Sequence, residues 1–155
     1  MELDIAGQAV IKNISVRAEH HGEERELGVD IKLVLRTDLD ALVNFSPALK
    51  ALLYENADDA ERRRLRMPEL KPLGFTLEFP NHSLCIADQT WDGTTISKFE
   101  IAPEVDGAVA VTMTASMSQV DPAILPAIAM LWLDETVNID IQPSQGDLFN
   151  GKEAA

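Results

Sequence analysis

Cysteine is almost absent from the 155-residue chain, in which Cys85 is the only one. A single thiol excludes an internal disulfide and a cysteine-based zinc site. One unpaired cysteine is also typical of a reducing compartment. The first residues carry no basic segment followed by an apolar run, so no secretory signal peptide is predicted. These features predict a cytoplasmic protein.

Long hydrophobic runs are missing as well. The longest apolar stretch, residues 123–133, contains Pro126 and is shorter than the roughly 20 residues that span a bilayer. We therefore expect no membrane segment. Aromatic residues make up 5% of the chain, whereas apolar residues as a whole make up 46%. The chain can therefore bury a core, and that core must be mainly aliphatic.

Basic side chains are scarce, above all in the second half of the chain. The sequence has 26 acidic and 13 basic residues, a net charge of −13. Residues 1–72 hold 14 acids and 11 bases, whereas residues 73–155 hold 12 acids and only Lys98 and Lys152. An acidic surface repels phosphates, so we expect no direct binding of nucleic acid. The same charge suits either solubility or imitation of DNA toward a DNA-binding protein.

The chain begins with two alternating runs. In residues 9–18, Ile14 and Val16 alternate with polar neighbours, and in residues 27–35 aliphatic side chains again fall on one face. Period-two alternation predicts half-buried strands. The polar segment between the runs contains Gly22, which favours a turn and hence an antiparallel hairpin.

Helix-start signals occur at three places. Asp38 precedes apolar residues spaced three and four apart, and Ser46 precedes Pro47, which suits the first helical position. The third signal, residues 121–122, precedes an apolar pattern that Pro126 shortens or kinks. The sequence therefore predicts two or three short helices.

Strand patterns dominate the second half of the chain. Each pattern alternates apolar and polar residues, and turn residues separate one pattern from the next. The predicted strands span residues 74–79, 83–87, 95–101, 109–117 and 136–141. The predicted turns are Pro80-Asn81, Trp91-Asp92-Gly93 and Val105-Asp106-Gly107.

Together these patterns predict an α+β fold. It is mainly an antiparallel sheet of about seven strands, either one sheet or a two-sheet sandwich, with two or three short helices. No long β-α-β alternation is present, which argues against a parallel nucleotide-binding fold. We assign a single globular domain to residues 1–142 and a C-terminal tail to residues 143–155.

The reactive side chains form no known catalytic or metal-binding pattern, so the sequence predicts neither an enzyme nor a cofactor. His20 and His21 are adjacent and would point to opposite faces of a strand, which does not suit one metal ion. Cys85 lies in an apolar strand, as a buried cysteine does. Residues 62–66 include four arginines, for which a phosphate site competes with a solvated surface paired to nearby acids.

Two short stretches resemble a group of small accessory proteins from bacteriophages and prophages. They are Arg17-Ala18-Glu19-His20-His21-Gly22 and Pro68-Glu69-Leu70-Lys71-Pro72-Leu73. The resemblance extends to the general layout of most of the chain. It implies a phage context inside a bacterial cell, and it assigns no catalytic residues.

The pentad Gln145-Gly146-Asp147-Leu148-Phe149 resembles the peptide with which bacterial proteins dock on the DNA sliding clamp. In such peptides the glutamine forms hydrogen bonds beside a groove, and the Leu-Phe pair fills an apolar pocket. Gly146 departs from the pattern, in which leucine is usual, and should weaken binding. The alternative is that the Leu-Phe pair folds back onto the domain. By the resemblance, the partner-binding residues are Gln145, Asp147, Leu148 and Phe149.

The leading hypothesis is a non-enzymatic phage accessory protein that binds a host replication or defence protein, first of all the sliding clamp. The second is an acidic inhibitor whose residues 73–155 imitate DNA toward a host nuclease, restriction or CRISPR system. The third is a structural or virion component in which the tail serves only packing. Each hypothesis rests on contacts with another protein.

Overall fold

The computed structural model describes residues 2–144, which fold into nine strands and a few short helices. The helices are a 3₁₀-helix (Leu39–Asn44), α1 (Leu49–Leu53), and a 3₁₀-turn (Pro122–Ile124) that continues into α2 (Leu125–Trp132). The strands are β1 (Ile5–His21), β2 (Glu24–Asp38), β3 (Tyr54–Glu55), β4 (Arg64–Leu65), β5 (Leu73–Phe75), β6 (Phe79–Ile86), β7 (Gln89–Pro103), β8 (Ala108–Met117) and β9 (Val137–Pro143). This arrangement confirms the predicted α+β class.

Seven of the strands described in residues 2–144 form one antiparallel sheet that closes on itself. Its order is β5-β7-β6-β9-β1-β2-β8, and β7 also pairs with β8. β5 and β6 lie one after the other along the same edge of β7. The closed ring therefore consists of the six strands β7, β6, β9, β1, β2 and β8, and β5 lies beside it. Of the two arrangements that the sequence left open, the structure therefore has the single sheet. The short strands β3 and β4 pair with each other.

Alternation along each strand separates the core from the outer face. In β8 every second side chain, from Val109 to Met117, is buried, as the sequence predicts. These side chains face those of β2; Leu33, for example, lies opposite Met113. Burial of each valine or methionine side chain in this set contributes about 1.5–3 kcal/mol. The interior is therefore a packed and mainly aliphatic core, as the composition requires.

Asp38 and Asp121 cap helices as predicted, but Ser46 does not, because α1 begins at Leu49 and its N-cap Ala48 forms no side-chain hydrogen bond. The Asp38 side chain accepts a hydrogen bond from the N–H of Asp40 at 2.9 Å, and the Ser46 hydroxyl accepts one from the N–H of Ala48 at 3.3 Å. Pro126 lies in the first turn of α2, where its missing N–H needs no partner. None of the helices in residues 2–144 has the length and apolar character needed to span a bilayer.

Two of the predicted turns are wrong, because their residues lie within strands. Asn81 is part of β6 and Gly93 is part of β7, and both have left-handed backbone, with φ of 55° and 66°. The register between β6 and β7 shifts beside each of them. Such a β-bulge accommodates an unusual backbone conformation without ending the strand. The hairpin instead turns at residues 87–88.

His82 links the N-terminal residues to β6. It is 1% exposed. Its Nε2 accepts a hydrogen bond from the N–H of Leu3 at 2.8 Å, and its Nδ1 lies 2.9 Å from the carbonyl oxygen of Pro80. A neutral ring with its proton on Nδ1 satisfies both contacts, since one nitrogen accepts and the other donates.

Replacement of His82 by leucine should destabilise the fold by about 2–3 kcal/mol, because the buried N–H of Leu3 loses its acceptor. Urea unfolding followed by circular dichroism measures the change. The matched change His20→Leu, at an exposed position of β1, should alter stability by less than about 0.5 kcal/mol. Equal unfolding midpoints for His82→Leu and the parent protein would contradict the role assigned to this ring.

Tyr54, the only tyrosine of the chain, ties β3 to the connection between β7 and β8. Its hydroxyl donates a hydrogen bond to the carbonyl oxygen of Glu104 at 2.6 Å and lies 3.3 Å from that of Ala108. Burial raises the pKa of Tyr54 above its ordinary value of 10.0, because the phenolate form would lose its hydration.

The phenol of the folded protein should therefore titrate above pH 10, and that of the urea-unfolded protein at about pH 10. Because folding raises this pKa, the stability it contributes is full below about pH 10 and is lost as the pH rises through the folded value. Tyr54→Phe should remove this alkaline loss and cost about 1 kcal/mol at neutral pH. Phenolate absorbance that titrates identically in both states would refute the assignment.

Candidate functional site

The predicted clamp-binding pentad lies outside the described residues, but its point of attachment lies within them. Ser144 is buried and directly follows β9. Its N–H donates a hydrogen bond to the carbonyl oxygen of Asn81 at 3.0 Å, and its hydroxyl accepts one from the N–H of Gly93 at 3.2 Å. The chain is thus fixed at the residue that precedes the four predicted contact residues, Gln145, Asp147, Leu148 and Phe149.

A polar groove crosses the outer face of the closed sheet, and the sequence did not predict it. The groove runs over β1, β2, β8 and β7 and has a volume of about 320 Å³. Its lining consists of polar side chains that alternate with core residues along their strands. Among the described residues these are Asn13, Ser15, Asp30, Lys32, Lys98, Glu100, Thr112 and Thr114.

Strand register brings these side chains together. Asn13 of β1 lies opposite Lys32 of β2, and Lys32 lies opposite Thr114 of β8. Thr114 in turn lies opposite Ser97 of β7. Side chains directly opposite one another on the same face are neighbours. One row therefore crosses four strands, and it joins residues that are far apart in the sequence.

β-Bulges in β1 and β7 bound the groove on its two sides. In β1 the extra residue is Lys12, which has no residue opposite it in β2. In β7 the register with β8 shifts at Lys98, whose backbone is left-handed with φ of 57°. Bulges bend a strand and increase its twist, and they are frequent beside binding sites. The concave shape of the outer face here is consistent with these bends.

Lys98 occupies a backbone conformation that favours glycine. For a residue with a side chain, the left-handed region costs about 1–2 kcal/mol. Strain of this kind is concentrated at functional positions, where a side chain is needed in spite of the backbone. In β7 the bulge places Lys98 in the groove beside Glu100.

The charged groups of the groove are unequally paired. Asp30 forms an ion pair with Arg17, which also lies 3.4 Å from Glu19. Within residues 2–144, neither Lys32 nor Lys98 forms an ion pair, and neither does Glu100. The groove therefore presents two ammonium groups and one carboxylate that are free to interact with a ligand.

The histidine and cysteine candidates of the sequence lie away from this groove. His20 and His21 belong to the far end of β1, and no group of three His, Cys, Asp or Glu residues in the described part of the chain is placed to hold a metal ion. Cys85 lies half-buried in β6, with its Sγ 3.5 Å from the carbonyl oxygen of Ala87.

The four arginines of residues 62–66 differ in their contacts. Arg66 donates from Nε to a carbonyl oxygen of α1 at 3.1 Å and lies 3.5 Å from Glu55. Arg63 covers Gly107: a Cβ built on that glycine would lie 2.5 Å from an Arg63 nitrogen. Two members of the cluster thus make contacts within the domain.

Lys50 forms an exposed ion-pair network at the end of the molecule that carries α1. Its Nζ lies 2.6 Å from Asp40 and 2.7 Å from Asp58. The hydrogen bond from Lys50 lowers the pKa of Asp40, and the bonds to the two carboxylates raise the pKa of Lys50. Exposed pairs of this kind stabilise a fold only slightly, because water and salt screen them.

Comparison with known proteins yields no assignment for the tail or the groove. No protein-family model, no curated protein and no solved structure matches the chain. The resemblances to phage accessory proteins and to clamp-binding peptides therefore stay predictions from the sequence.

Proposed function

We propose that the protein is a non-enzymatic phage accessory protein that binds a host protein in the bacterial cytoplasm through residues 145–149. The sliding clamp is the first candidate partner. The pattern Gln-x-x-Leu-Phe, placed directly after the fixed residue Ser144, carries this proposal. A peptide ligand that starts at a fixed point on a folded body can present its side chains to a groove without rearrangement of that body.

The residues of the pentad have distinct roles in the proposed contact. Leu148 and Phe149 contribute most of the affinity, about 2 kcal/mol each if they are fully buried in an apolar pocket. Gln145 fixes the register through hydrogen bonds, and Asp147 fits the common pattern. Gly146 adds backbone freedom to the unbound peptide and lacks the usual leucine side chain. The affinity should therefore be lower than that of a peptide with leucine at this position.

The double change Leu148→Ala with Phe149→Ala should weaken binding to purified bacterial sliding clamp about a thousandfold, which amounts to loss of detectable binding. Biolayer interferometry with immobilised clamp measures it. Asn150→Ala with Lys152→Ala changes the same tail outside the pentad and should leave the affinity unchanged. Undiminished binding by the Leu148 and Phe149 variant would exclude the tail as ligand, and no binding by the parent protein would exclude the clamp.

The distribution of ion pairs favours a second candidate, an acidic inhibitor that imitates DNA. Within residues 2–144, Asp88, Asp134 and Glu135 form no ion pair. The connections that carry them are neighbours, because the N–H of Ala87 donates to the carbonyl oxygen of Asn138 at 3.0 Å. Carboxylates without nearby cations create a negative potential, which is complementary to the surface with which a partner protein binds DNA.

This second candidate predicts inhibition of a purified host restriction nuclease, and the inhibition should fall steeply as salt rises from low to physiological concentration. Asp134→Asn with Glu135→Gln should weaken it, whereas the Leu148 and Phe149 changes should not. DNA cleavage assays at several salt concentrations test the idea. If the Leu148 and Phe149 changes abolish the inhibition, the result would instead support the peptide contact.

A further inference from the structure

The outer groove presents hydrogen-bond donors to solvent. Lys32 and Lys98 each bring an ammonium group with three donors, and Thr112 and Thr114 bring hydroxyls from β8. Within residues 2–144 no ion pair engages either ammonium group. The Asp30 carboxylate, which would otherwise compete for them, is held by Arg17. An oxyanion with several acceptor oxygens is the complement of this arrangement.

The size and lining of the groove favour a small ligand over a polymer. Its volume of about 320 Å³ lies at the lower end of the range for small-molecule sites. Each of its described lining side chains is polar and non-aromatic, so the groove offers no surface on which a nucleobase would stack. The net charge of −13 also repels a long polyanion, whereas one phosphate group needs only the local charge of the groove.

The position of Lys98 supports a role in anion binding. It is the only lysine or arginine between positions 73 and 144. The β7 bulge places it in the groove with left-handed backbone, although glycine would fit that conformation without strain. The same groove contains Lys32, which comes from a different part of the chain. Two cations thus line one groove, and one of them comes from the half of the sequence that is poorest in basic residues.

We propose that this groove binds the phosphate group of a small phosphorylated molecule. Lys32 and Lys98 supply the cationic contacts, and the hydroxyls of Thr112 and Thr114 donate hydrogen bonds to the remaining oxygens. Glu100 lies in the same groove and opposes the anion, so it limits the affinity. The site is separate from the C-terminal pentad and from the acidic connections, and it does not depend on the function proposed for either.

Titration of the full chain with inorganic phosphate, followed by amide chemical shifts in two-dimensional NMR, tests the proposal. Saturable shifts should appear at Lys32, Lys98, Thr112 and Thr114. Lys32→Met and Lys98→Met should each weaken binding about fivefold, and Glu100→Gln should strengthen it by a similar factor. Lys71→Met, an exposed lysine with no ion pair in the described part of the chain, is the matched control and should leave binding unchanged.

Lys98→Gly separates the charge from the backbone strain. It removes the ammonium group, as Lys98→Met does, but glycine also relieves the left-handed conformation. Phosphate binding should fall as in Lys98→Met, while the melting temperature of Lys98→Gly should exceed that of Lys98→Met. Weaker binding in a more stable variant would show that the loss comes from the missing charge and not from damage to the fold.

Three results would overturn the proposal. One is the absence of saturable shifts up to tens of millimolar phosphate, with sodium chloride at equal ionic strength as the reference. Another is an affinity that the Lys32 and Lys98 variants leave unchanged, which would move the anion to the arginines of residues 62–66. The third is binding of succinate as tight as that of phosphate, which would assign the groove to carboxylates. The Leu148 and Phe149 variant should behave as the parent protein in every arm.

Discussion

The antiparallel pairing between β7 and β8 is the contact on which the rest of the structure depends. It turns a row of strands into a closed sheet, so that one face of every strand is covered by the others. Closure therefore gives the aliphatic side chains a common interior and leaves the polar side chains on the outside. It also places β7 beside β8, which in turn pairs with β2, and the outer groove extends over these three strands and β1.

Alternation along a strand is a local property, which is why the sequence predicted the hairpin of β1 and β2 and the strand β8. The caps at Asp38 and Asp121 are local as well, whereas Ser46 lies three residues before the start of α1. Asn81 and Gly93 show where local reasoning fails. Left-handed residues suit turns and bulges alike, and the register with a neighbouring strand decides between them. The groove depends on contacts between distant residues, such as Lys32 and Thr114. Its one local signal was Lys98, isolated among acids in the second half of the sequence.

The two proposed binding sites, the tail and the groove, depend on different physical interactions. In the proposed contact with a host protein, Leu148 and Phe149 bury apolar area. The resulting hydrophobic interaction is strong in water and insensitive to salt. The proposed phosphate site depends on the attraction between ammonium groups and an anion. This attraction is weaker in water and is screened by salt. The two sites can therefore be measured separately in the same protein. An acidic surface elsewhere lowers non-specific contact with nucleic acid in either case.

The buried link through His82 has a further consequence for how the ends of the domain are arranged. The N–H of Leu3 is bound by His82, and the N–H of Ser144 is bound by Asn81, so both ends of the described chain are fastened to adjacent residues of one bulge. Ends that share an anchor lie close together, a geometry that tolerates circular permutation. A force applied at Ser144 would therefore also act on the attachment of Leu3. A bulky fusion placed before Leu3 would therefore start close to Ser144.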